Sequence, residues 1–133
     1  MRYNFFIDMK KLTEREEELM TLLWDNGPMF VRDIIDRMPE PKPHFNTVST
    51  FVRLLESKGF VTHSKFGGSY RYEAAMSRDD FSRSTLRDVV DRYFGSSIKA
   101  SVSALVENEK LSDDEIRELI EMVIKQRNET KNQ

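Results

Sequence analysis

The segment NTVSTFVRLLESKGF, residues 46–60, is the part of the sequence that most strongly indicates the fold. Apolar residues recur there at helical spacing, which predicts a helix over residues 44–58 with one buried face. The predicted members of that face are Phe45, Val48, Phe51, Val52 and Leu55. The opposite face carries short hydrogen-bonding side chains and one arginine, namely Asn46, Ser49, Thr50 and Arg53. Such a helix packs on one side and meets a polar partner on the other, and we call it the reading helix.

A short hairpin is predicted directly after the reading helix. Gly59 is placed to end that helix, and residues 60–65 then alternate weakly as a strand. A Gly67-Gly68 pair permits a tight turn with positive φ, after which residues 69–73 return as a second strand. Tyr70 and Tyr72 are expected to pack within this hairpin, with base stacking as the alternative.

Two further helices are predicted before the reading helix. The first begins at a capping box formed by Thr13 and Glu16 and ends at the Asn-Gly-Pro sequence of residues 26–28. The second spans residues 30–38, and the prolines of residues 39–43 prevent its continuation. The order α-α-α-β-β is that of the winged helix-turn-helix. The predicted fold class is therefore mainly α with a small β-hairpin wing, followed by a C-terminal helical dimerisation region.

The predicted fold places the reading helix in the major groove of DNA. Serine and threonine hydroxyls both donate and accept hydrogen bonds, and arginine binds two guanine acceptors or a phosphate. Basic residues of the hairpin would contact the flanking backbone and position the domain. The predicted DNA-binding residues are Asn46, Ser49, Thr50, Arg53, Lys58, Lys65, Ser69 and Arg71. The alternatives are a solvated helix face for Ser49 and Thr50, and an ion pair with Glu56 for Arg53.

Charge and composition limit the classes of function. The net charge is -2, yet residues 42–72 contain five basic side chains and one acidic one, Glu56. The chain has no cysteine, which excludes disulfides and thiolate metal sites, and its two histidines, His44 and His63, are too few for a metal site. No nucleophilic triad, phosphate-binding loop or zinc-protease motif is present. We therefore expect no enzyme activity, no cofactor and no membrane insertion, and a cytoplasmic location.

The C-terminal third contains three amphipathic segments, about 77–94, 96–107 and 112–125. They carry more apolar surface than so small a chain buries against itself, so we expect a homodimer, with folding back onto the winged helix as the alternative. The predicted dimerisation residues are Val90, Phe94, Ile98, Val102, Leu105, Ile116, Leu119, Ile120 and Val123. A two-fold dimer presents two reading helices to half-sites about one helical turn apart or a multiple, which predicts a palindromic operator.

These patterns divide the chain into four regions. Residues 1–11 are expected to form an N-terminal extension, in which residues 3–7 are candidates for a short edge strand. Residues 12–76 are the predicted winged-helix DNA-binding domain, and residues 77–127 are the predicted helical dimerisation region. Residues 128–133 are expected to be a frayed tail.

Four sequence motifs occur within residues 12 to about 125, namely LTEREEELMTLLW, NTVSTFVRLLESKGF, GSYRYEAAMSRDDF and VENEKLSDDEIREL. Together they resemble motifs of the penicillinase and methicillin-resistance repressors of bacteria. The resemblance implies a homodimeric transcriptional repressor that blocks a promoter by binding a palindromic operator. It also assigns operator contacts to four positions of the reading helix, namely Asn46, Thr47, Ser49 and Thr50.

The resemblance further implies release of the repressor by proteolysis within the dimerisation region, triggered by a membrane-bound sensor metalloprotease. The cleaved bond of that family corresponds here to Ala104-Leu105, in place of an Asn-Phe pair. The arginine of the reading helix also lies one position earlier here, at Arg53. Two other functions stay open, a winged-helix module that binds proteins without binding DNA, and a regulator that responds to small molecules.

Overall fold

The computed structural model describes residues 12–132. The predicted extension, with the edge strand of residues 3–7, lies outside the described residues. The elements of the described chain, in order, are α1 (Glu14–Asn26), β1 (Met29–Phe30), α2 (Val31–Asp36), α3 (Phe45–Ser57), β2 (Val61–Phe66), β3 (Ser69–Ala74), α4 (Arg78–Tyr93), α5 (Ile98–Glu109) and α6 (Asp113–Lys131). The chain divides into two compact units, one that ends at Leu86 and one that begins at Arg87.

The predicted capping box at the start of α1 is confirmed. The Thr13 hydroxyl oxygen accepts a hydrogen bond from the Glu16 backbone N–H at 3.2 Å, and the Glu16 carboxylate accepts one from the Thr13 N–H at 3.0 Å. Gly27 ends the helix with a φ of 79° and donates its N–H to the Leu23 carbonyl. The positive φ explains why glycine stands at this position.

The sheet has three antiparallel strands in the order β1-β3-β2. Strands β2 and β3 form the predicted hairpin, from Val61 opposite Ala74 to Phe66 opposite Ser69. Strand β1 was not predicted, because two residues show no alternation and pairing with β3 defines it. The second helix was predicted to begin at Phe30 and end at Met38, which is wrong at both ends. Phe30 pairs with Arg71 in the sheet, and α2 spans only Val31–Asp36.

Helices α1, α2 and α3 and the sheet enclose the core of the first unit. From α3 the core receives Val48, Val52 and Leu55, each at most 1% exposed. The predicted stripe included Phe45, which is wrong, because burial along α3 begins one turn later and Phe45 is 49% exposed. Helix α4 begins against this core, where the Phe81 ring lies 5.4 Å from that of Trp24.

The second unit, residues 87–132, buries far less. Val90 and Ser101 are its buried residues, and α6 contains none. Helix α6 continues to Lys131, beyond the predicted end at about residue 125 and into residues 128–131, which were expected to belong to a frayed tail. No glycine or proline follows Ser112 in the sequence to break the helix earlier. None of the described helices is long and apolar enough to cross a membrane.

Candidate nucleic-acid interface

Helix α3 exposes a polar face beside its buried stripe. Asn46, Thr47, Thr50 and Arg53 are all exposed. The Thr50 hydroxyl donates to the Asn46 carbonyl at 2.9 Å, which leaves its oxygen lone pairs and its methyl group for an external partner. This face therefore offers donors, acceptors and two threonine methyl groups, the groups that contact base edges in a major groove.

Ser49 does not belong to that face, and the prediction that it points outward is wrong. Its side chain is buried, with 4% exposed. Ser49 follows Val48 and precedes Val52 by three positions, so helical geometry places it inside the buried arc. The sequence shows the polarity of Ser49, but only the packing shows that the buried arc is wide enough to include it.

Lys58 was predicted to bind DNA, but the structure directs its ammonium group towards the protein. Its Nζ atom donates to both carboxylate oxygens of Glu16, each at 2.9 Å. Burial by itself raises the pKa of the Glu16 carboxyl, but hydrogen bonds from the Thr13 N–H and Lys58 outweigh it and hold the pKa below its usual range. Lys58 therefore ties the end of α3 to the start of α1.

The hairpin β2–β3 places basic and hydroxyl groups at its tip. Lys65 and Ser69 flank the turn and are exposed. The guanidinium of Arg71, which is half-buried, lies over the Phe66 ring at 4.2 Å from its centroid. A guanidinium is planar, and stacking on a ring restricts its orientation. It therefore loses less conformational freedom when it binds a phosphate.

Arg53 does not form the ion pair with Glu56 that was the alternative to DNA binding. Glu56 pairs with His63 instead, and no described carboxylate lies within ion-pair distance of Arg53. Arg53 lies next to the Tyr72 side chain. Tyr72 is buried, as expected from the prediction that it packs within the hairpin. Burial and the Glu56 carboxylate raise the pKa of Tyr72, while Arg53 opposes the shift.

A cleft of about 570 Å³ opens between α2, α3 and the hairpin, and we call it the helix–wing cleft. Its lining includes Arg32 from α2, Arg53 and Ser49 from α3, and Ser69 and Tyr70 from the hairpin. Sequence reasoning missed Arg32, because a single arginine in a short helix carries no signal until the fold brings it opposite Arg53.

The predicted dimerisation residues fall into two groups. Val90 is buried, and Phe94 and Ile116 are partly buried. The others are exposed on one copy of the chain, namely Ile98, Val102, Leu105, Leu119, Ile120 and Val123. Further exposed apolar residues that were not predicted are Val89, Tyr93, Met122 and Ile124. The four-residue spacing between Val89 and Tyr93, and between Ile120 and Ile124, places each pair on one helix face. This spacing could have identified Val89, Tyr93 and Ile124 as candidates for the dimer interface.

The described residues do not contain a cluster of three or more histidine, cysteine, aspartate or glutamate side chains placed to hold a metal ion. Three helices, a small antiparallel sheet and an exposed polar face on α3 define a winged helix-turn-helix protein of the DNA-binding class. The predicted fold class is confirmed, with one strand added by the structure.

Comparison with known proteins gives the family. Residues 12–125 match the family model described as "Penicillinase repressor". The chain is 24% identical to the penicillinase repressor of Bacillus licheniformis over 127 residues, which cover 92% of this chain and 99% of that protein. It is 26% identical to the methicillin resistance regulatory protein MecI of Staphylococcus aureus (strain N315) over 110 residues, 82% and 89% of the two chains.

The chain therefore belongs to the penicillinase repressor family, as the motifs predicted, and is a DNA-binding transcriptional repressor rather than an enzyme. Among solved structures, an ArsR-like transcriptional regulator from Rhodococcus sp. RHA1 aligns with a TM-score of 0.49 at 17% identity, over 77% of this chain and 88% of that chain.

Proposed function

We propose that this protein is a homodimeric repressor that binds a palindromic operator through α3 and the hairpin, in the cytoplasm. The observation that carries the proposal is the exposed face of Asn46, Thr47, Thr50 and Arg53, which no packed element of residues 12–86 covers. This face lies on the helix that enters the major groove in winged helix-turn-helix proteins. Lys65, Ser69 and Arg71 of the hairpin then bind the flanking phosphates.

The second unit supports the homodimer. Within residues 87–132 large apolar side chains stay exposed on all three helices, among them Tyr93 at 74%, Ile98 at 62% and Leu105 at 58%. We call the exposed apolar residues of 87–132 the apolar stripe, and exposed apolar residues in this number mark an interaction surface. A second copy of the chain presents the same stripe, so a two-fold pairing covers both at once.

We also propose that repression is relieved by proteolysis in α5, through a membrane-bound sensor metalloprotease. The candidate bond, Ala104-Leu105, lies near the middle of α5, where the backbone is held by helical hydrogen bonds. Cleavage therefore requires local unwinding of α5. After induction of the target gene, mass spectrometry of the cellular protein should find a fragment ending at Ala104. Relief of repression with only intact chains present would contradict this step.

Operator binding is tested by titrating the purified protein against the duplex upstream of its own gene, beside a scrambled duplex of equal composition. Two salt concentrations are needed, because each phosphate neutralised contributes about -0.9 to the log–log slope of affinity against salt. We expect selective binding that weakens steeply with salt. Equal and weak binding to both duplexes would contradict the proposal and favour a module that binds proteins.

A further inference from the structure

We propose that the helix–wing cleft holds one strand of the DNA backbone and that Arg32 binds a phosphate there. This inference rests on the proposed operator binding and adds a contact from α2 that neither the motifs nor the family match assigns. Its starting observation is that two guanidinium groups, those of Arg32 and Arg53, line the same cleft from different helices.

The guanidinium of Arg32 lies against an aromatic ring and has no ionic partner among residues 12–132. It lies over the Phe45 ring at 5.7 Å from the centroid, which restricts its motion. No described carboxylate lies within ion-pair distance of Arg32. Among the described residues that line the cleft, Asp33 supplies the one carboxylate, and it accepts a hydrogen bond from the Phe30 N–H at 3.1 Å. Two cations and one engaged carboxylate leave the cleft positively charged, which favours an anionic occupant.

Aromatic side chains at the cleft indicate which anion fits. Phe45, Phe66 and Tyr70 line it with 49%, 45% and 48% of their surface exposed. A phosphodiester strand alternates charged phosphates with apolar faces of deoxyribose, so it matches guanidinium groups and exposed rings together. Inorganic phosphate would match the arginines alone and leave the rings in water.

The position of the cleft also fits a backbone strand. One wall is α3, whose residues Ser49 and Arg53 line the cleft, and another is the hairpin at Gly68 and Ser69. A strand that borders the major groove must pass between a helix inserted in that groove and a wing beside it. Contacts of this kind set the register of the protein on the duplex without reading sequence.

The test compares Arg32→Ala, Arg32→Lys and the control Arg37→Ala in operator and scrambled duplexes. Arg37 is an exposed arginine just after α2 that bonds Asn26 outside the cleft. We expect Arg32→Ala to weaken binding to both duplexes by the same factor, about tenfold, and to reduce the salt slope by about one. Arg32→Lys should recover part of the affinity, while Arg37→Ala should match the wild type. Equal melting temperatures check that the variants fold.

Neutral methylphosphonates, placed one at a time along the operator, then locate the contact. At one phosphate per half-site the substitution should weaken the wild type but leave Arg32→Ala unchanged. Wild-type affinity and salt slope in Arg32→Ala would overturn the inference and leave the repressor proposal standing. A loss confined to the operator would overturn the phosphate role, because it would mean that Arg32 reads a base. Failure of the wild type to bind any duplex would overturn both proposals.

Discussion

The two units of this chain differ in how completely each fills its own core. Residues 12–86 contain a continuous buried cluster drawn from α1, α2, α3 and the sheet, with Leu19, Ile34 and Leu55 fully enclosed. Residues 87–132 contain the end of α4 and all of α5 and α6, yet Val90 is the one buried apolar residue among them. A helix in water gains most of its stability from packing an apolar face. The apolar side chains of the second unit could pack in this way, but in one copy of the chain they stay exposed.

We propose from this difference that residues 12–86 bind DNA and that residues 87–132 pair two copies of the chain. Obligate homodimer interfaces resemble a domain core cut in half, and the exposed stripe on residues 87–132 has that character. Residues 12–86 contain a filled core and present polar groups on α3. Four predictions test this contrast between residues 12–86 and residues 87–132, in order of decreasing effect.

Leu105→Asp should break the proposed dimer. Placing an unpaired carboxylate in an apolar interface costs several kcal/mol, so the dimer dissociation constant should rise by roughly a thousandfold or more. Sedimentation equilibrium at micromolar concentration measures it. The matched control is Lys99→Asp, which puts the same side chain at an exposed polar position of α5. A Leu105→Asp protein that is still dimeric would show that this segment is not the interface.

Lys58→Met should destabilise the first unit by about 3 kcal/mol, because it leaves the buried Glu16 carboxylate without its cation. Urea unfolding at fixed protein concentration gives the free energy. Arg15→Met is the control, since it removes an exposed pair with Glu18 and should change stability by about 0.5 kcal/mol or less. Equal losses in the two variants would contradict a structural role for Lys58.

Arg53→Ala should weaken operator binding by roughly 1–3 kcal/mol while leaving the dimer intact. Fluorescence anisotropy with the operator duplex measures the loss. Arg117→Ala provides the control, because Arg117 is an exposed arginine of α6 that pairs with Asp114. Affinity equal to that of the wild type would remove Arg53 from the interface.

Glu16→Gln should change how stability depends on pH. Because the folded-state pKa of Glu16 is lowered, its stabilising effect is present above the usual glutamate pKa of about 4.3 and is lost as pH falls through the folded value. The stability difference between wild type and Glu16→Gln should therefore shrink as the pH falls from about 5 through the folded-state pKa of Glu16. A difference that stays constant over this range would contradict the assignment. We expect this effect to be the smallest of the four.

Periodicity and capping predicted most of the fold, because these signals are local. The stripe of Val48, Val52 and Leu55 and the box of Thr13 and Glu16 each depend on residues within a few positions of one another. Strand β1 could not be predicted, because Met29 and Phe30 become a strand only by pairing with residues about forty positions later.

The candidate site was predictable in outline and wrong in two residues. Asn46, Thr50 and Arg53 are exposed as the helical pattern requires. Lys58 was misassigned because its partner, Glu16, is 42 positions away and its burial depends on packing between α1 and α3. Ser49 was misassigned because polarity alone does not show the width of a buried face.

Native mass spectrometry of the operator complex is the most direct test. It shows whether residues 12–86 bind DNA while residues 87–132 pair two copies of the chain. We expect two chains on each operator duplex for the wild type, and a single chain at reduced affinity for Leu105→Asp. One wild-type chain per duplex at saturation would contradict this expectation, because the exposed stripe of residues 87–132 would then have no second copy to cover it.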